Sequence, residues 1–234
     1  MLNNPDKQTC LPAAAGLVGI ERLQGGYETP LQRLLHALDS VPRHVSPVES
    51  TSFLEAASVS AQQVALSATH DRSQQYRCSK VAGARTPVQE YFRIRTCDMT
   101  ADAVLFEVAS LAVRAFADLA RAPLAAGDID LILNAFRGVF ADLLRTVDKE
   151  KSTFAQVHDA AGAVPVDVDD NSTNEQIWFE RWITAHQVHA MLNTFAAAAI
   201  IRAVQHYEFG VIDATVDRLN FATSLVAAFG PCRA

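Results

Sequence analysis

The chain lacks an apolar run long enough to cross a bilayer. Its longest candidate, AMLNTFAAAAIIRAV, is interrupted by Asn193 and closed by Arg202, which excludes a membrane span. The start, MLNNPDKQTC, lacks the basic-then-apolar layout of a signal peptide. Cysteine is sparse: Cys10, Cys78, Cys97 and Cys232 stand far apart, with no CxxC, CxxCH or zinc-type spacing. The reading is a reduced cytoplasmic protein with incidental thiols, with a disulfide between two of them left open. Basic charge is also in deficit. A net charge of -6 provides no cationic face for a phosphate backbone and argues against nucleic acid as a partner. There is no glycine-rich phosphate loop and no GxSxG nucleophile turn. Internal repeats and low-complexity tracts are absent too.

What is present is hydrophobic and helical. Half of the 234 residues are hydrophobic, enough for a sizeable core in one large domain, or in one domain with an arm. Residues 1–20 read as a loose arm. GYETPLQRLLHALDSVP predicts a short helix with Thr29 as cap, Pro30 at its first position and Leu31, Leu34, Leu35 and Leu38 on one face. Residues 46–68 predict a second, weaker helix. Residues 70–98 are polar and broken by Gly83 and Pro87, with an alternating stretch around Tyr91 to Thr96, and predict loop with a hairpin. From Thr100 the spacing turns helical. Leu105, Val108, Leu111, Ala112, Ala115, Phe116 and Leu119 mark one helix, and Ile129, Leu131, Ile132, Ala135, Phe136, Val139, Phe140 and Leu143 the next. Between them AAGD predicts a tight turn, with Gly127 ending one helix and Asp128 capping the other. Ala161 to Gln176 reads as polar loop. A long helix carrying His186 and a final helix from Val211 complete an all-α fold of antiparallel helices. The division expected is an arm with short helices and loop over 1–98, and a helical bundle over 99–234.

Chemistry concentrates in ERWITAHQVHAMLNTF, residues 180–195. His186 and His189, three residues apart, share roughly one side of an otherwise apolar helix. A metal, a heme iron or a pair of hydrogen-bonded core histidines would each account for them. A di-iron carboxylate site calls for Glu-x-x-His on two helices. No Glu-x-x-His occurs in the chain, and Glu180 lies about 240° around the helix from His186. The acidic DVDD of 167–170 reads as a solvated loop, and Asp213 and Asp217 as facing water.

EQIWFERWITAHQVHAML resembles the heme-binding helix of the tryptophan 2,3-dioxygenase superfamily. In that superfamily a Trp precedes the proximal heme histidine by four residues and a Met-Leu or Met-Ile pair closes the helix. Trp182, His186, Met191 and Leu192 fit. The paired helices around AGD, the segment STFAQVHDAAG and the last helix from VQHYEFGVID follow in the superfamily's order, so the likeness covers roughly residues 100–230. QGGYETPLQRLL is similar to its Gly-Gly-Tyr segment.

The resemblance implies a bundle of the tryptophan dioxygenase type, with an irregular N-terminal region and a heme b iron held by His186. Trp178 and Trp182 would lie beside the porphyrin, with Phe106, Phe116, Phe136 and Phe140 supplying an apolar slot. The sequence departs from the dioxygenases in three places. Their Gly-Thr-Gly-Gly loop is replaced by continuing helix, NTFAAAAIIRAV. Their distal His-Asp-Glu slot reads TADAVLF, with Thr100 and Ala101. Their substrate-binding Arg falls near His158.

The chain therefore looks closer to the diverged bacterial biosynthetic members that hydroxylate aromatic amino acids. The reaction expected is hydroxylation of a small tyrosine- or tryptophan-like substrate, from hydrogen peroxide or from oxygen plus a reductant, with little ring opening. His70, His158 and His44 are candidates for the distal proton carrier. Arg93 and Arg95 are candidates for the substrate carboxylate, and Thr100 for the substrate pocket. A homodimer or larger is expected, because superfamily members complete the pocket with a neighbour's N-terminal segment. Two alternatives stand beside this reading: a helical binding or assembly protein without catalysis, and a non-heme di-iron oxygenase.

Overall fold

The computed structural model describes residues 9–19, 23, 26–43, 47–68, 76–77, 91–122, 124–147 and 174–230. Among them are seven helices: α1 (Ala14–Val18), α2 (Glu28–Ser40), α3 (Pro47–Ser67), α4 (Ala101–Leu119), α5 (Ala126–Arg145), α6 (Asn174–Glu208) and α7 (Ile212–Ala227). Four short strands, β1 (Thr9–Leu11), β2 (Tyr76–Arg77), β3 (Ile94–Thr96) and β4 (Asp98–Met99), complete the described elements. The fold is all-α. No described helix is long and apolar enough to cross a membrane.

Helix α4 is central because its apolar residues run nearly all round it. Leu105, Val108, Leu111, Ala112 and Phe116 are buried on successive turns, the pattern of a helix with neighbours on several sides. Helix α3 packs along α4. It does so with small residues: Leu54, Ala57, Ala61, Val64 and Ala68 are fully buried at alternating steps of three and four, so the two backbones can approach closely. On α4 and α5, Phe116, Phe136 and Phe140 form a fully buried ring cluster, with Phe116 edge-on to Phe136 at 5.0 Å. Edge-to-face rings at this spacing add roughly 0.5–1.5 kcal/mol to their burial.

Helices α6 and α7 form an antiparallel hairpin whose tight link is encoded at Gly210. Its φ is +72°, which a residue with Cβ resists. The Val211 N–H reaches the His206 carbonyl at 2.8 Å and the Gly210 N–H reaches Tyr207 at 2.9 Å, the paired bonds of a Schellman ending. Asp142 of α5 binds Arg202 of α6 (3.1 Å) and Arg218 of α7. Arg202 also donates to the Leu17 carbonyl at 2.7 Å, so one carboxylate ties four helices.

Residues 9–19 of the expected loose arm are built into the fold. Strand β1 pairs in parallel with β3, Thr9 opposite Ile94 and Leu11 opposite Thr96, and Leu11 and Leu17 are buried in the core. Their apolar side chains need a partner surface, and the bundle supplies it. Of the alternating stretch expected around Tyr91 to Thr96, residues 94–96 pair with β1 as β3, and the following β4 pairs with β2. Two helix starts also differ from the sequence expectation. Tyr27, not Thr29, precedes α2, which puts Pro30 in the third position, where its missing N–H still costs nothing. Helix α5 begins at Ala126, so Gly127 and Asp128 lie inside its first turn, Asp128 where a negative charge suits the helix dipole.

Candidate active site

His186 lies in the first half of α6 and is half-buried. Its Nδ1 is 2.8 Å from the Trp182 carbonyl, one turn earlier. Its ring stacks on Phe92 at 4.1 Å with the planes 5° apart, and meets Trp182 at 4.5 Å. Trp182 in turn touches Tyr91, Phe92 and Phe179. Tyr91, Phe179 and Trp182 are exposed, so this is an aromatic patch open to an incoming flat molecule rather than closed core. His189 belongs elsewhere. Its ring lies 4.5 Å from Phe229, so the two histidines serve different surroundings.

Phe92 is fixed to α6 by the residue after His186. Gln187 is fully buried and donates from Nε2 to the Phe92 carbonyl at 3.0 Å. Its Oε1 accepts from the Thr9 hydroxyl at 2.9 Å and from Arg114 at 2.8 Å. Arg114 also donates to Thr9 Oγ1 at 2.8 Å. This chain of bonds brings β1, the 91–93 segment, α4 and α6 together at the residue that follows the histidine. Burial lowers the pKa of Arg114, opposed by the charges of Glu107, Asp118 and Glu180. Burial likewise raises Asp118 above the usual carboxylate range, against the pull of Arg181, Thr184 and Arg114.

Arg93 donates to both oxygens of Glu180, at 3.2 and 3.4 Å. Its φ of +55° is uncommon for a residue with a side chain and costs on the order of 1–2 kcal/mol. Such strain is held by surrounding contacts and clusters at functional sites. Here the Arg93 carbonyl is held by the Thr9 N–H at 3.0 Å. Arg95 on β3 has its Nε buried with no hydrogen-bond partner among the described residues.

Of the residues singled out in the sequence, the structure brings His186, Trp182 and Arg93 into one neighbourhood. Trp178 is 58% exposed, with the Arg181 guanidinium 6.0 Å over its ring. Phe106 is partly buried against the core. Phe136 is closed in by Phe116 and Phe140 and stands in the core. Thr100 caps α4, its hydroxyl oxygen accepting the Ala103 N–H at 3.3 Å. His44, His70 and His158 lie outside the described residues. Sequence reasoning missed Phe92, Gln187, Thr9 and Arg114. The only signal for them was the alternation near Tyr91, which marked a strand but not what it faces.

A match to one known family sets the protein in a class: oxidoreductases of the peroxygenase type that act on an aromatic amino acid. The profile of the SfmD 3-methyl-L-tyrosine peroxygenase family matches residues 5–234, and the chain belongs to that family. No curated protein and no solved structure matches it.

Proposed function

We propose that the protein binds one b-type heme through His186 and hydroxylates the ring of a tyrosine-like amino acid with hydrogen peroxide. The observation that carries this reading is the 2.8 Å contact between His186 Nδ1 and the Trp182 carbonyl. A carbonyl only accepts, so Nδ1 carries a proton, and in the neutral ring Nε2 keeps its lone pair. That is the tautomer an iron ligand requires, with its outer N–H oriented by a backbone oxygen. No described residue hydrogen-bonds Nε2. A heme needs a single protein side chain, which suits a site where no three His, Cys, Asp or Glu converge among the described residues. The order Trp182, His186, Met191 and Leu192 supports placing this family beside the tryptophan dioxygenases.

When bound, the heme supplies the centre at which peroxide is activated. One peroxide oxygen enters a ring C–H bond as hydroxyl and the other leaves as water. The chain's own groups do the rest. Phe92 and Trp182 hold the imidazole plane, and Trp178 extends the aromatic surface one turn further. Arg93, paired with Glu180 in the absence of substrate, receives the amino acid carboxylate, with Arg95 beside it on β3. A histidine, His70 first and His158 or His44 after it, carries the proton that peroxide cleavage consumes. The protein works in the cytoplasm, in a biosynthetic pathway.

Purified protein is expected to show a Soret band, and His186→Ala to lose it while keeping its helix content. His189→Ala, altering a ring that packs on Phe229, should retain heme. Full heme occupancy with an unchanged spectrum in His186→Ala would sink the assignment. Mass spectrometry of 3-methyl-L-tyrosine and tyrosine incubated with peroxide, or with ascorbate and air, should show gain of one oxygen atom and favour peroxide. Gain of two oxygens with ring opening on tryptophan would restore a dioxygenase.

A further inference from the structure

Trp182 links the histidine to the surface through ring contacts. Its indole meets the His186 ring at 4.5 Å, and its carbonyl oxygen accepts from His186 Nδ1 at 2.8 Å. The same indole meets the Tyr91 ring at 5.5 Å, nearly edge-on. Trp182 is 40% exposed and Tyr91 54%. Tyr91 is held by more than this one contact. It also lies edge-on to Phe92 at 5.3 Å and to Phe179 at 6.1 Å. Edge-to-face contacts on several sides fix the phenol ring although it stands at the surface.

The chemistry of the rings gives this order of contacts a direction. Indole and phenol side chains give up an electron far more readily than benzene rings or imidazole. Among the described residues, the rings that touch Trp182 are Tyr91, Phe92, Phe179 and His186. Of these, Tyr91 is the one that an oxidised Trp182 can oxidise in turn. The second tryptophan competes poorly. The Arg181 guanidinium lies 6.0 Å over the Trp178 ring, and a positive charge there opposes formation of an indole cation. Two other tyrosines are worse placed. Tyr207 is exposed but stands 25 residues beyond Trp182 on α6, about 37 Å at 1.5 Å per residue. Tyr27 is buried, and burial and Asp102 oppose loss of its proton. Tyr91 is open to water, so the proton of an oxidised phenol has somewhere to go.

We infer that Trp182 and Tyr91 form a relay that carries single oxidising equivalents from the His186 site to the surface when no amino acid is bound. The relay rests on the heme binding at His186 proposed above. Trp182 gives one electron toward the imidazole. Tyr91 then gives one electron to the Trp182 indole and its hydroxyl proton to water. The Tyr91 phenoxyl is restored by a hydrogen atom from a small phenol or ascorbate at the open aromatic patch. Two such passages supply the two electrons and two protons that turn one hydrogen peroxide into two waters, and two donor radicals are the other product. The chain thereby has a peroxidase activity beside the oxygen transfer, and oxidant that finds no substrate leaves through rings that are restored after each passage.

The test uses wild-type protein, its absorption spectrum, hydrogen peroxide and no amino acid substrate. Electron paramagnetic resonance after rapid freezing should show a tyrosyl radical. A nitroso spin trap followed by peptide mass spectrometry should place the adduct on Tyr91. Tyr91→Phe keeps a ring of nearly the same size against Phe92 and Phe179. It should lose the tyrosyl signal, with the Soret band and far-UV circular dichroism unchanged, and oxidise ascorbate more slowly with peroxide. Tyr207→Phe should keep the signal. A spin-trap adduct on another residue, a tyrosyl signal that survives Tyr91→Phe, or no tyrosyl signal from protein with a full Soret band would each overturn the relay. The adduct is mapped on the wild type, so it decides the matter even where Tyr91→Phe folds poorly. Wild-type protein without a Soret band would overturn the heme reading and the relay together, so the spectrum tells the two failures apart.

Discussion

Gln187 uses both ends of its amide, and few residues in the molecule are so constrained. Replacing it with Leu keeps the volume but strands Thr9, the Phe92 carbonyl and the buried Arg114 without that partner. Unsatisfied buried groups cost on the order of 1–3 kcal/mol each, and more when charged. Gln187→Leu should therefore lower stability by about 2–4 kcal/mol in urea unfolding. It should also shift the Soret band of loaded protein, because Phe92 loses its tether beside His186. An unshifted band would separate Gln187 from the iron site. The proposal for His186 could be drawn from the sequence because its Trp182 and Met191 neighbours are local, on one helix. Gln187 could not be read that way, because its meaning depends on Thr9, 178 positions away. Tyr27 makes a second residue-scale case. Burial and Asp102 push its pKa from 10.0 to about 12. Below pH 10 the phenol is protonated in folded and unfolded chains alike. Between pH 10 and 12 the unfolded chain gives up its proton first, so stability falls across that window. Tyr27→Phe should remove that alkaline loss, leaving a flatter profile of unfolding free energy against pH.

At the scale of the element, the helices were legible and their ends were not. Apolar residues at steps of three and four place α2, α4 and α5 almost as found, since each buried stripe is a property of its own segment. The ends depend on what lies beyond the helix. Thr29 and Gly127 have the residue types of a cap and a stop, yet both sit inside a first turn, because the neighbouring residues also find room to turn helically. Two glycines show the difference. A Cβ on Gly127 would meet nothing within 4 Å, so Gly127→Ala should stabilise the protein by about 0.5–1 kcal/mol, the gain of Ala over Gly within a helix. Gly210, at φ +72°, also has open space around it, yet Gly210→Ala should destabilise by about 1 kcal/mol because the backbone itself is left-handed there. Thermal unfolding of the two variants should move in opposite directions. Movement in the same direction would mean that the α6–α7 turn does not need that conformation.

For the whole molecule, the decisive group is Asp142. It is 6% exposed, and two arginines from different helices converge on it while one of them also holds α1. None of this is visible in the sequence, where Asp142 looks like any acid on an amphipathic helix. Removing it leaves two partly buried cations facing each other. Asp142→Ala should cost about 3–5 kcal/mol, the usual loss when one partner of a buried ionic cluster is deleted. Substituting Met for Arg202 and Arg218 in the same chain should recover most of that loss, because the charges that lacked a partner are then gone. The effect should remain structural. Arg202 lies 16 residues beyond His186 on the same helix, about 24 Å at 1.5 Å per residue. The heme spectrum of folded Asp142→Ala should therefore match that of the wild type even as its urea midpoint falls. Gln187→Leu should move both. If Asp142→Ala also displaced the Soret band, α6 would be acting as one rigid lever from its C-terminal hairpin to the histidine, and the separation between the half of α6 that holds the aromatic site and the half that assembles the molecule would fail.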